Sequence, residues 1–289
     1  MSCSGSACSI RLALRFAWAF PPMVFGAVAA AQDSPPPYLQ IFREEVKVGR
    51  TGPHVAAEAG WPRAFAKAGM KNYYLGMTTT YGPSEAWFLE GHSSIAEIEE
   101  GNKAIEDAPG LGTELDRLAQ ADAANISSAR AILARYQPDL SNGVPIDLAA
   151  TKVWEVLIFR VRPGHDFDFM EAAKMYKSTV EQKKIDVPWA TYGVLAGMPG
   201  PVYLVFLPHK TLAEIDPATG TGAELEKAFD ADAMKKLSTL SEGYESVEDL
   251  IFTVNPQMSY LSPELVARDP KFWSRKPAAP AKKPAKPTE

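Results

Sequence analysis

Apolar positions recur with a period of two along residues 152–161. Val153, Leu157, Phe159 and Val161 share one face with Glu155, while Trp154, Val156, Ile158 and Arg160 share the other. Both faces are mostly apolar, so the segment reads as a strand covered on both sides. Shorter runs of the same kind, bounded by Gly, Pro and Asn, predict strands over 39–48, 73–80, 85–89 and 129–136, and again over 189–196, 202–207 and 247–254. Helical spacing predicts helices over 54–68, with an irregularity at Trp61-Pro62, and then from Ser94, from Thr113 to about 125, over 167–184 and over 223–240. In the last of these Leu225, Phe229, Leu237 and Leu240 fall on one side.

The pattern occurs twice. His92-Ser93-Ser94-Ile95-Ala96-Glu97-Ile98 returns 117 residues later as His209-Lys210-Thr211-Leu212-Ala213-Glu214-Ile215. Each copy places Ser or Thr three residues before Glu, the capping box of a helix start. Tyr136-Gln137-Pro138 is echoed by Val254-Asn255-Pro256 at an offset of 118. Each half reads strand, helix, strand, strand, helix, strand, the ferredoxin-like order. One such unit leaves a sheet face uncovered, and a second copy in the same chain can cover it. The expected class is therefore α+β, two tandem ferredoxin-like (βαββαβ) units facing each other, with unit 1 over 38–142, a linker over 143–150 and unit 2 over 151–263.

The ends of the chain differ in composition from its body. Arg11 and Arg15 precede an apolar run that closes on Ala29-Ala30-Ala31, which reads as a signal peptide over 1–31 cleaved near Ala31 and places the mature protein in the periplasm or outside the cell, without a transmembrane span. Both cysteines, Cys3 and Cys8, fall inside it, so the mature chain has no disulfide, thiolate metal site or cysteine nucleophile. Residues 32–37 are a proline-rich lead-in. Residues 264–289, basic and rich in Pro, Ala and Lys, read as a disordered tail suited to anionic envelope polymers. The formal net charge of −5 conceals this division. Setting aside two basic residues in 1–31, and seven basic and two acidic ones in 268–289, leaves 21 basic and 33 acidic in the body, a net of −12. A body so acidic excludes nucleic acid as the expected partner.

The repeat resembles the dimeric α/β-barrel superfamily, in which two ferredoxin-like units face each other across their sheets. The turn Val161-Arg162-Pro163-Gly164-His165 and the helix after it are similar to the NIPSNAP and antibiotic-biosynthesis-monooxygenase branch. The two-unit, single-chain form also resembles chlorite dismutase and its relatives. The resemblance implies an intrachain dimeric α/β barrel. It brings cofactor-free oxygenases and haem-binding or haem-degrading proteins into view, although no histidine here matches the haem ligand by a local motif.

Candidate chemistry is sparse. There is no Gly-x-Ser-x-Gly elbow, and Gly220-Thr221-Gly222 lacks the strand and third glycine of a nucleotide loop. His165 with Asp166 and Asp168 reads as an acidic helix start, and His54 after Gly52-Pro53 in the same way, so no metal site is expected. Matching the first strands of the two units at an offset of 113 puts Arg43, Glu45 and Lys47 opposite Trp154 and Arg160 in a half-polar cavity suited to a small amphipathic ligand. His92 and His209 occupy equivalent places at strand ends and complete the candidate set. The expected function is an exported, non-catalytic ligand-binding or interaction scaffold of a bacterial envelope, with an oxygenase or haem-handling enzyme as the alternative. No cofactor is assigned.

Overall fold

A computed structural model describes residues 34–143, 145–216, 224 and 227–274. The segment expected to be a signal peptide, the glycine-rich loop at 220–222 and the part of the tail from 275 onward lie outside the described residues. Unit 1 runs β1 (Tyr38–Val46), α1 (Thr51–Glu58), α2 (Gly60–Ala68), β2 (Tyr74–Tyr81), β3 (Glu85–His92), α3 (Ile95–Asp107), α4 (Leu111–Asp122) and β4 (Ile126–Tyr136). Unit 2 runs β5 (Val153–Val161), α5 (Asp166–Lys183), β6 (Ala190–Ala196), β7 (Val202–His209), α6 (Ala231–Ser241) and β8 (Tyr244–Val254).

Both units order their strands alike, β4-β1-β3-β2 and β8-β5-β7-β6, and the two sheets join edge to edge through β2–β8 and β6–β4 into a closed eight-stranded barrel. Closure leaves no strand edge unpaired. At the β4–β6 seam the backbone at Gly197 (φ 93°) passes so close to Ala131 and Ile132 that a Cβ there would strike main-chain atoms. The inward faces of the strands fill the barrel: Ile41, Met77, Trp87, Ile132, Val156, Ile158, Leu204 and Phe252 are all within 1% of full burial. Alternate residues point outward to the helices.

Local chemistry explains the shifted boundaries. The Ser94 hydroxyl accepts the Glu97 N–H as expected, and the Glu97 carboxylate accepts from Ser93 N–H at 2.6 Å. In the second copy only the carboxylate half survives, Glu214 accepting from Lys210 N–H at 2.7 Å, and the chain makes a single 3-10 turn over Leu212–Ile215. The helix expected from Thr113 starts at Leu111, because Gly110 takes a left-handed conformation there (φ 72°). The helix expected over 54–68 breaks at Ala59, upstream of Pro62. The helix expected over 223–240 is interrupted at Phe229-Asp230: Glu224, Lys227 and Ala228 are helical, and α6 begins anew at Ala231, where the Asp230 carboxylate accepts the Ala233 N–H.

The tail expected from 264 is ordered up to 274. Residues 263–273 form α7 (Pro263–Arg268) and α8 (Pro270–Trp273), because Leu265, Val266, Phe272 and Trp273 supply apolar surface that the basic stretch beyond them lacks. Together with Ile146 and Ala149 of the linker they join the barrel core, and the Trp273 indole donates to Ala149 O at 3.3 Å. Leu265→Ala should cost about 2 kcal/mol in urea unfolding. An unchanged midpoint would mean that this segment does not contribute to the core.

Candidate functional site

The seven residues singled out from the sequence do not converge. Arg43 points into the barrel, with Nη2 2.6 Å from Glu85 Oε1 and its guanidinium 5.3 Å from the centre of the Trp87 ring, and Trp87 Nε1 donates to Glu85 Oε2 at 2.8 Å. Glu85, only 3% exposed, thus has a partner for each oxygen. Trp154 packs edge-on against Phe206. Arg160 reaches Pro199 O at 3.3 Å, and Glu45 and Lys47 are exposed. His92 and His209 end β3 and β7 in identical register, opposite Tyr38 and Val153, on the outer face of the barrel. His209 lies 3.2 Å from Glu155 and borders a groove of about 550 Å³ lined by Asp147, Thr151, Asp186 and Lys210. His165 and Asp168 pair at 2.6 Å on the surface at the start of α5.

A denser polar cluster lies elsewhere, between the helices and the sheet of unit 1. Glu44 sits on the outward face of β1 just before its bulge at Glu45/Val46. His54 and Glu58 are one helical turn apart and share a face of α1. Asp122 is the last residue of α4. α2 and α4 are in close contact, since a Cβ at Gly60 would collide with Leu118. One donor atom from each of Glu44, His54, Glu58 and Asp122 lies within 4.8 Å of the other three. His54 is fully buried, and Glu58 and Asp122 are 6% and 2% exposed.

The hydrogen bonds within the cluster leave it incomplete. Asp122 Oδ2 is 2.8 Å from His54 Nδ1, and Asp122 Oδ1 accepts from Asn125 Nδ2 at 2.9 Å. The carboxylate holds the proton on Nδ1 and turns the lone pair of Nε2 the other way. That Nε2 lies 3.8 Å from Glu44 Oε2, and neither atom has a hydrogen-bond partner. Trp61 Nε1 and the Tyr74 hydroxyl are also buried without partners. Burial, followed by the Glu44 and Asp122 carboxylates, pushes the Glu58 carboxyl up to about 9, while the nearby Trp61 indole opposes the rise without a hydrogen bond of normal geometry. Burial likewise raises Glu44, with His54 opposing.

Unit 2 shows what the fold itself requires at this place. The first-strand bulges, Glu45/Val46 and Arg160/Val161, and the left-handed helix ends at Gly69 and Lys184 superpose at an offset of 115, not the expected 113. Later elements match at 118: Asn125 N–H bonds Asp122 O as Gly243 N–H bonds Leu240 O. The counterparts of Glu44, His54, Glu58 and Asp122 are therefore Phe159, Phe169, Ala173 and Leu240. These are apolar, with the Phe159 and Phe169 rings 5.1 Å apart.

No family model matches the chain, and no curated protein sequence matches it. Solved structures do. A protein of Fusobacterium nucleatum subsp. nucleatum named as a candidate monooxygenase aligns over 76% of this chain and 93% of its own, with a TM-score of 0.50 and 11% identity. The chain has a dimeric α/β-barrel fold. An anthrone oxidase-like protein aligns over 76% and 92% (TM-score 0.47, 10% identity), and a chlorite dismutase variant from Candidatus Nitrospira defluvii over 81% and 95% (0.44, 9%). At such identities the likeness concerns architecture.

Of the described histidines, His54 and His92 have a free ring nitrogen buried among side chains, with no slot there for a haem macrocycle. His209 and His165 each turn one nitrogen to a carboxylate, Nε2 to Glu155 and Nδ1 to Asp168. The sequence reading missed Glu44, Glu58 and Asp122, and took His54 for a helix-start residue. It therefore expected no metal site where the barrel gathers three carboxylates around one imidazole.

Proposed function

We propose that the mature chain is an exported binding protein whose ligand is held between the helices and the sheet of unit 1, by Glu44, His54, Glu58 and Asp122. One observation carries this reading. The same place in unit 2 is closed by Phe159, Phe169 and Ala173, packed against Tyr203 and Tyr244, so the fold does not need carboxylates there, and unit 1 buries His54, Glu58 and Asp122 beside half-buried Glu44 at a cost in stability. The barrel interior is a weaker candidate, since Ile41, Trp87, Ile158 and Phe252 occupy its middle. Three carboxylates favour a cationic ligand. Export rests on the apolar segment ending at Ala31, and in this reading the basic tail tethers the protein to anionic envelope polymers. The alternative, an oxygenase, draws support only from the shared architecture.

Native mass spectrometry of the mature protein, purified without chelator, should show a retained mass. That mass should disappear when Glu44, His54, Glu58 and Asp122 are exchanged for their unit 2 counterparts. A mass unaffected by the exchange, or no retained mass in either protein, would overturn the assignment.

A further inference from the structure

We infer that the ligand of this site is a divalent first-row transition-metal ion, bound by His54 Nε2 and the carboxylates of Glu44 and Glu58, with Asp122 orienting the imidazole. The inference rests on the reading that this cluster is the ligand site and goes further by naming what it holds. Three features of the geometry converge on it.

First, two buried atoms with lone pairs, His54 Nε2 and Glu44 Oε2, lie 3.8 Å apart with no donor between them. That is too long for a hydrogen bond. Donor atoms around a tetrahedral ion with bonds of about 2.1 Å stand about 3.4 Å apart, so an inward shift of a few tenths of an ångström would let both coordinate one ion. Second, the opposite nitrogen of the ring is already held by Asp122, which Asn125 holds in turn. A carboxylate on the far nitrogen of an imidazole fixes the tautomer and raises the basicity of the ligating nitrogen, the usual support of a metal-bound histidine. Third, the charges match. Two ligating carboxylates balance a dication, and Asp122 keeps its own hydrogen-bonding partners.

One imidazole with two or three carboxylates suits zinc, manganese or iron(II). Calcium, which takes six to eight oxygen ligands, would find too few. The Trp61 and Tyr74 donors nearby have no protein partner and can bond to a water or ligand carried by the ion.

The test uses the full mature chain, unfolded in chelator, freed of metal and refolded with Zn²⁺ or Mn²⁺, because the site is buried and the ion must enter as the chain closes. Expected are one ion per chain by elemental analysis and a higher melting temperature. Affinity should be at least 100-fold weaker in Glu58→Gln, and 10- to 100-fold weaker in Asp122→Asn, whose amide can still hold the ring. Both variants are near-isosteric. Folding of each is checked by circular dichroism, and the exchange for the unit 2 residues serves as a second, apolar control. Binding of equal affinity in Glu58→Gln and in that exchange would place the ion elsewhere and overturn the inference. If neither ion binds while the retained mass still depends on the cluster, the ligand is not a metal and only the present inference fails. If no retained mass depends on the cluster, the reading beneath it fails too.

Discussion

In buffer containing a chelator, Glu58→Gln protein should match the parent in stability at pH 5 and exceed it by on the order of 4 kcal/mol at pH 8. The folded protein keeps the Glu58 proton up to about pH 9, whereas an ordinary glutamate in the unfolded chain loses it near 4.5. Between those values the folded state holds one more proton than the unfolded state. The contribution of the protonated group is therefore fully present below about pH 4.5 and is lost as pH rises toward 9, at about 1.4 kcal/mol per pH unit. A neutral amide carries no such cost. Glu44 on β1, raised in the same direction, adds to the slope of the parent; His54 on the same helix, Asp122 on α4 and Tyr74 on β2 are the other titratable groups near Glu58. Urea unfolding at the two pH values decides the matter, and parallel curves for parent and variant would show that Glu58 is ionised in the folded state. With Zn²⁺ present the ion takes the place of the proton, and the parent should gain stability toward alkaline pH where the metal-free protein loses it.

The architecture was legible because it rests on patterns that survive substitution: alternating strands, the Ser94…Glu97 cap, and turn residues at matched spacing. Strand ends were less so. β3 and β7 run on to His92 and His209 because their pairing with β1 and β5 extends past the apolar stretch. The ordered segment over 263–273 was hidden by its basic neighbours, although Leu265 and Trp273 carried the signal. The cluster was hidden for a subtler reason. A 113-residue offset sets Glu44 against Leu157 and His54 against Phe167, and the substitution of polar for apolar does not stand out as a group. The true register, 115 early and 118 late, pairs Glu44 with Phe159, His54 with Phe169, Glu58 with Ala173 and Asp122 with Leu240. The two-residue error kept every strand residue on its correct face, so nothing in the alternation exposed it. The His54/Glu58 pair, one turn apart on an otherwise apolar helix face, was the local signal available.

That register makes unit 2 a template for unit 1. A chain carrying Glu44→Phe, His54→Phe, Glu58→Ala, Asp122→Leu and Asn125→Gly should remain folded, gain about 1–4 kcal/mol in metal-free buffer and lose any response to added metal. Asn125 is included because its buried side chain would otherwise lose the Asp122 oxygen it bonds, and Gly243 holds the equivalent place. The gain follows from removing three carboxylates from a site that leaves Glu44 Oε2 and His54 Nε2 without partners. Opposing it is overpacking, since three of the five replacements add volume and α1 breaks at Ala59 where α5 runs on, a misfit that costs about 1–3 kcal/mol. Burial of the polar cluster, with Glu44 Oε2 and His54 Nε2 unpartnered, is the larger effect, so the sign should stay positive. Thermal unfolding of the variant against metal-free parent reads it directly. A folded variant of lower stability would mean that the four polar residues support the fold of unit 1, and the argument that they are retained for a ligand would fall with it.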